Sequence, residues 1–335
     1  MTKRKTVVLT HGEDVDGIIS AALAKKFFKG EIDVRLVRHS NQLEVFQKLS
    51  SENLSDDTNI YIFDLMPKKN LFMATDDQIS VMDSLCFKTE SVVWIDHHDD
   101  FLTWELEKRG VRYIGGEKKK ECAALLIWNE LISTEFPEEA IEKIDGFLLA
   151  TIAQVNDYPG EEKMTGIIAR SGDRIQQAIS CLNYFSREED LQKLINLIAL
   201  GENWMAFVNS VLAECEWHIM RARSYLARNQ KVLQIGGFDF LLATVDPILP
   251  QKQLLRKMRS EHAGKVDGCV VFFSDPANNV LFFSDPVRCS FSAQKFCTYM
   301  GGGGRDGDGG FSAKFLDFSD FLSFFEQKMT KYLNP

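Results

Sequence analysis

Positive charge is in short supply. Lys and Arg number 39 against 48 Asp and Glu, a formal charge of −9 over 335 residues. Gripping long duplex DNA takes a basic face that neutralises many phosphates, so duplex DNA is excluded as a partner. A small phosphorylated ligand is not, because a bound metal or a few local cations can supply the positive field. The cysteines lack the spacing of a framework: there are 7, an odd number, and no two stand as C-x-x-C. Neither a disulfide scaffold nor a zinc ribbon is expected; inert thiols in a reducing cytosol are. Long apolar runs are also missing. No stretch approaches the ~20 residues of a membrane span. The start holds only Val7-Val8-Leu9 as an apolar run before His11, Glu13 and Asp14, which is not a secretory signal. The expectation is a cytoplasmic protein with no membrane partner.

What is present is ordinary for a globular chain, 45% hydrophobic and 26% charged residues. The length suggests about two domains. The first half alternates between two periods. Strand-like runs at 6–10, 32–37, 60–63 and 92–95 interleave with helix-like segments at 17–28, 43–49 and 122–132. That rhythm predicts an α/β fold with a parallel sheet covered by helices. Residues 138–228 are helical in pattern, and 201–228 reads as one long helix. After Arg228 strand-like runs return at 231–235, 238–245, 268–273, 280–283 and 287–291, with helices expected at 251–262 and 292–300. The expected division is a first domain over 1–195, a helical linker over 196–230 and a smaller α/β domain over 231–335.

Four segments carry metal-competent residues. The first is H-G-E-D-V-D-G, His11 to Gly17, after the first strand. The second is Y-I-F-D, ending at Asp64. The third is V-V-W-I-D-H-H-D-D, with Asp96, His97 and His98. The fourth is N-D-Y-P-G, with Asp157 after an apolar helical run. In open parallel sheets ligands collect beyond the carboxyl ends of the strands, so the first three should meet at one sheet edge. Taken singly, an Asp after a strand is more often a turn or helix cap. Taken together, clustered carboxylates repel one another and need cations. Two divalent metals can clamp a phosphate and acidify a water, and a mixed Asp and His set suits Mn²⁺ better than Ca²⁺. Asp99, Asp100, Lys118–Lys120, His39, His218 and His262 read as structural or solvated residues. A second signal is G-G-G-G-R-D-G-D-G-G-F, Gly301 to Phe311. It reads as a loop whose successive N–H groups form an anion nest.

This set resembles the DHH phosphoesterase superfamily with a DHH-associated C-terminal domain, a group of nano-RNases, RecJ-like exonucleases and cyclic-dinucleotide phosphodiesterases. The resemblance covers nearly the whole chain and implies an active site in the cleft between the two domains. It implies that His11 and Asp14 hold one Mn²⁺, that Asp16, His97 and Asp157 hold the other, and that Asp64 bridges both. His98 would sit beside the scissile phosphate as donor or acid, and Asp96 would orient a ligating histidine. Gly302, Gly303, Gly304 and Arg305 would hold a substrate phosphate, Arg305 standing where the family has His. Val287–Ala293 lacks the Arg of the family's S-x-R-S strand, and Arg288 is the candidate replacement. Lys252, Arg256, Lys257 and Arg259 form a basic helix, either a solvated face or a guide for an oligonucleotide.

The expected activity is Mn²⁺-dependent hydrolysis of short oligonucleotides or linear or cyclic dinucleotides. Hydrolysis of a small phosphate or pyrophosphate, and nucleotide sensing without turnover, are the alternatives. A homodimer stays open.

Overall fold

In a computed structural model the structure describes residues 5–38, 40–74, 79–98, 102–115, 121–133, 141–158, 166–273, 279–285, 288, 291–305 and 307–334. The side chains of Glu142, Lys252, Arg256 and Arg305 lie outside that description. So do the readings made on His39, Asp99, Asp100, Lys118–Lys120 and most of the strand expected at 287–291. The chain divides into two compact units, Met1–Val211 and Leu212–Pro335.

The first unit opens with β1 (Lys5–His11), α1 (Val15–Phe27), β2 (Glu31–Val37), α2 (Gln42–Ser51), β3 (Asn59–Phe63), α3 (Val81–Lys88), β4 (Ser91–Asp96), α4 (Thr103–Lys108) and β5 (Arg112–Gly115). The five strands form one parallel sheet in the order β2-β1-β3-β4-β5. Strand-helix alternation makes this topology, because parallel neighbours need a crossover. Val7, Leu9, Ile60, Ile62 and Trp94 point to one face and pack with Phe46, Leu49, Met82, Leu85 and Leu106. The sequence pattern missed α3, α4 and β5, which are too short to show a clear period.

The opposite face carries α1 and the helices α5 (Ala123–Ile127), α6 (Ile141–Asp157), α7 (Ile167–Tyr184) and α8 (Glu188–Leu200). Helix α5 runs into a π-helical turn over Trp128–Ile132. The spacing in α1 suggested an amphipathic helix. In the structure its residues from Val15 to Ala24 are all buried, because α5, α6, α7 and α8 all pack against it along with the sheet. Helix α9 (Trp204–Arg228) spans the division between the units.

The second unit contains β6 (Gln230–Ile235), β7 (Phe238–Val245), α10 (Gln251–His262), β8 (Gly268–Phe273), β9 (Asn279–Ser284), α11 (Ala293–Tyr299), β10 (Gly303–Arg305), β11 (Asp308–Ser312) and α12 (Phe318–Leu333). Its sheet runs β10-β11-β9-β8-β7-β6, parallel at β7/β8 and antiparallel elsewhere. The core is built on phenylalanine. Phe240, Phe282, Phe291, Phe296 and Phe325 meet mostly edge to face, with centroids 5.5–5.9 Å apart in six such pairs, a geometry favoured by the ring quadrupole.

The glycine-rich segment corrects an expectation. It folds as a hairpin, not as an open nest. Gly303 pairs with Gly310, Gly304 with Gly309 and Arg305 with Asp308, and β11 extends the sheet on β9. Helix α11 packs directly onto this hairpin. A Cβ on Gly309 would lie 2.8 Å from the Cys297 side chain, and one on Gly302 would lie 2.0 Å from the Gly310 carbonyl oxygen. Close approach of α11 accounts for Gly309, and close approach of the β11 backbone for Gly302.

Candidate metal centre

Strands β1, β3 and β4 are neighbours, so their carboxyl ends deliver three of the four segments to one place. His11 is the last residue of β1 and Asp96 the last of β4. Asp64 follows β3 in the left-handed region, at φ +53°, a conformation Asp tolerates better than most residues. Two bonds hold that turn. The Asp64 N–H donates to the Ile95 carbonyl at 2.9 Å. The buried Trp94 Nε1 donates to the Leu65 carbonyl at 2.7 Å. Asp157 arrives as the last residue of α6.

The loop after β1 turns into α1 at Asp14, which caps the helix by accepting the Gly17 N–H at 3.1 Å. The bland reading of D-x-D-G as a helix cap is thus true of Asp14, and it does not remove Asp14 from the site. Asp14 Oδ1 lies 3.5 Å from His11 Nδ1, and Asp64 Oδ2 lies 3.5 Å from the same nitrogen. On the other side, His97 Nε2 lies 3.3 Å from Asp64 Oδ1, 3.4 Å from Asp157 Oδ2 and 3.8 Å from Asp16 Oδ2. The structure therefore brings together two sets, His11–Asp14–Asp64 and Asp16–His97–Asp157, each with donor atoms within 4.8 Å of one another. Asp64 presents one oxygen to each set.

Asp96 Oδ1 meets the Nδ1 of His98 at 2.7 Å, and Asp64, Asp96, His97 and His98 form a further group whose donor atoms lie within 4.8 Å of one another. Asp96 is fully buried and His98 partly exposed, so the carboxylate fixes the one imidazole of the cluster that reaches solvent.

Burial and charge make this a site that wants cations. Burial and the neighbouring Asp64 push the Asp16 carboxyl well above its ordinary range. Burial opposes charge on the His97 ring, yet Asp64, Asp16 and Asp157 outweigh it and lift the ring to about 11. Burial likewise opposes charge on His11, and Asp14, Asp64 and Glu13 together raise it well above 6.5. The protein alone offsets crowded carboxylates by holding protons. Asp64 Oδ2 is buried without a hydrogen bond. A mixed oxygen and imidazole set around a carboxylate shared between two histidines fits a pair of divalent first-row ions.

Several supporting residues carried no sequence signal. Gln176 of α7 accepts the Val15 N–H at 3.2 Å and donates to the Glu13 carbonyl at 3.1 Å. Asn183 donates to the Gly12 carbonyl at 2.9 Å. These two amides, more than 160 residues along the chain, clamp the loop that holds His11 and Asp14. Asp16 accepts the N–H groups of Ala123 and Ala124, both at 2.8 Å, and Gln154 accepts the Cys122 N–H at 2.7 Å. Burial and Asp16 keep the Cys122 thiol well above its usual range, so it is no nucleophile. The six cysteines among the described residues form no disulfide.

The substrate candidates lie in the second unit. Arg288 is engaged: it pairs with Asp239 at 3.2 Å and Asp267 at 3.6 Å and donates to the Lys265 carbonyl. Gly302, Gly303, Gly304 and Arg305 belong to the β10–β11 hairpin and its approach. Of the basic helix, Arg259 reaches the same hairpin, 3.1 Å from Asp308, with its guanidinium over the Phe283 ring at 5.4 Å. Among the described residues no helix is long and apolar enough to cross a membrane.

No family model matches the sequence, and no curated protein matches it. Solved structures do. A pGpG-specific phosphodiesterase of Vibrio cholerae is 12% identical, with 98% of this chain and 99% of that one covered and a TM-score of 0.50. An exopolyphosphatase-related protein of Bacteroides fragilis is 14% identical, with 99% and 93% covered and a TM-score of 0.52. The α/β architecture, with a parallel sheet in one unit and a mixed sheet in the second, is the fold that these two structures share with this chain.

Proposed function

We propose that the chain is a metal-dependent phosphodiesterase that hydrolyses short oligonucleotides or linear or cyclic dinucleotides to mononucleotides. One observation carries this reading: Asp64, a member of the buried His11–Asp14–Asp64 triad, turns its other oxygen to His97 of the Asp16–His97–Asp157 triad. A pair of divalent ions, Mn²⁺ by the donor set, would supply an acidified water and a positive field for the phosphate. His11, Asp14, Asp16, Asp64, His97 and Asp157 would hold them. His98, fixed by Asp96 and reaching solvent, is the group that donates to the phosphate or leaving oxygen as charge develops. Arg305 and the glycines of the β10–β11 hairpin are proposed to contact the substrate. The acidic balance of the chain favours a small ligand.

The similarity to a pGpG-specific phosphodiesterase supports a dinucleotide. The similarity to an exopolyphosphatase-related protein supports a second reading, hydrolysis of a small inorganic phosphate chain. The test is a panel of di- to pentanucleotides, cyclic dinucleotides, pyrophosphate and short polyphosphate with added Mn²⁺, read by chromatography. Mononucleotide release that disappears in Asp64→Ala is expected. Phosphate release from pyrophosphate or polyphosphate alone would select the second reading. No turnover of any substrate, with Asp64→Ala and wild type indistinguishable, would reject both.

A further inference from the structure

Each histidine of the two triads has one ring nitrogen facing the carboxylates. The other ring nitrogen is the informative one. His97 turns Nε2 to Asp16, Asp64 and Asp157, and its Nδ1 meets the Tyr158 hydroxyl at 2.8 Å. His11 turns Nδ1 to Asp14 and Asp64, and its Nε2 meets Glu13 Oε2 at 3.1 Å. The construction repeats. Asp157 and Tyr158 are consecutive and take opposite edges of one imidazole; Glu13 and Asp14 are consecutive and take opposite edges of the other. Tyr158 is held in turn by its N–H, which donates to the Gln154 carbonyl at 2.8 Å, and its ring meets the His97 ring edge-on at 5.7 Å. An imidazole that binds a metal does so through an unprotonated nitrogen, and the hydrogen bond at its other nitrogen decides which one that is.

We infer that Tyr158 and Glu13 are positioning residues, each accepting the far N–H of one histidine. They fix Nε2 of His97 and Nδ1 of His11 as the metal-facing atoms. Tyr158 thereby serves the Asp16–His97–Asp157 half of the centre and Glu13 the His11–Asp14 half. The inference rests on the proposed metal centre and adds to it an assignment of ring atoms and of a separate support for each half.

The test is Mn²⁺ titration of the full-length, metal-stripped protein by calorimetry, with free Mn²⁺ followed in parallel by electron paramagnetic resonance. No substrate is present. Wild type, Tyr158→Phe and Glu13→Gln are compared, with circular dichroism checking the metal-free fold. Wild type is expected to bind two ions. Y158F should weaken one binding step about 10–100-fold and leave the other within about threefold, the size of effect that removing such a partner has elsewhere. E13Q should weaken the other step. Unchanged affinities in both variants would overturn the inference and leave the metal centre standing. So would equal weakening of both steps by Y158F. Absence of Mn²⁺ binding in wild type would overturn the inference and the proposed centre together. Should Y158F fail to fold, E13Q decides alone: weakening of a single step supports the inference, and no change rejects it.

Discussion

Gly17→Ala is the sharpest perturbation the centre offers. Gly17 sits in the first turn of α1, where that helix presses on the end of β1. A Cβ there would lie 1.9 Å from the His11 carbonyl oxygen, 2.7 Å from its carbonyl carbon and 2.9 Å from its Cβ. The obstacle is backbone, so no rotamer relieves it. The gap must open by about 1.4 Å to reach the ~3.3 Å of the closest ordinary C–H···O contacts. One bond resists the opening: Thr10 Oγ1 of β1 donates to the Gly17 carbonyl at 2.7 Å.

Overpacking costs about 1–3 kcal/mol, and loss of the Thr10–Gly17 hydrogen bond about 1 kcal/mol more. The larger effect falls on the site. Asp14 and Asp16 travel with α1 while His11 stays with β1, so each triad is opened at its α1 carboxylate by more than an ångström. A misplacement of that size costs on the order of 100-fold in turnover. The measurements are Mn²⁺ affinity, hydrolysis rate and urea unfolding. Gly110→Ala is the comparison: Gly110 has φ +74° with nothing within 4 Å of its added Cβ, so it carries backbone strain away from the site. G110A is expected to lose about 1 kcal/mol of stability and to keep full activity. If G17A kept both Mn²⁺ affinity and turnover within about threefold of wild type, the packing of α1 on β1 would not set the metal centre.

Other outcomes follow from single groups. Ser20 is fully buried in α1, and its hydroxyl has no hydrogen-bond partner among the described residues. Ser20→Ala is therefore expected to leave stability unchanged or raise it by up to ~1 kcal/mol in urea unfolding; a loss above ~1 kcal/mol would mean the hydroxyl has a partner. Without metal, the His97 ring titrates near 11, against 6.5 for a free ring. Its raised value stabilises the metal-free fold fully below pH 6.5, and the contribution fades as pH rises toward 11. Metal binding must displace such protons, so Mn²⁺ affinity should climb with pH between 6.5 and 9. Calorimetry in buffers of different ionisation enthalpy should show proton release, and a pH-independent, buffer-independent isotherm would contradict it. Asp96→Asn removes the charge beside His98 and keeps all six proposed metal ligands. It should lower kcat about 100-fold with Mn²⁺ affinity intact; equal loss of both would place Asp96 among the ligands.

The sequence alone determined the strands and what stands at their ends. Buried parallel strands are short, nearly continuous apolar runs, so β1, β3 and β4 were visible, and His11, Asp64 and Asp96-His97-His98 stood out as polar residues closing them. That signal is local, and local chemistry survives folding. Tertiary structure decided the rest, because the rest depends on partners far along the chain. The period of α1 reads as amphipathic, and only the helices packed over it explain why its polar Ser20 is buried. The glycines at 301–310 read as a phosphate-binding loop; the register with β9 and the helix α11 lying on top made them a hairpin. Asp96 looked like support for a metal ligand, and its pairing with His98 depends on side-chain direction, which spacing does not encode. Gln176, Asn183 and Gln154 are ordinary polar residues on helices until the fold brings each against one backbone group of the site. A hydrogen bond needs a specific atom within about 3 Å, and that distance is set by the packed fold as a whole.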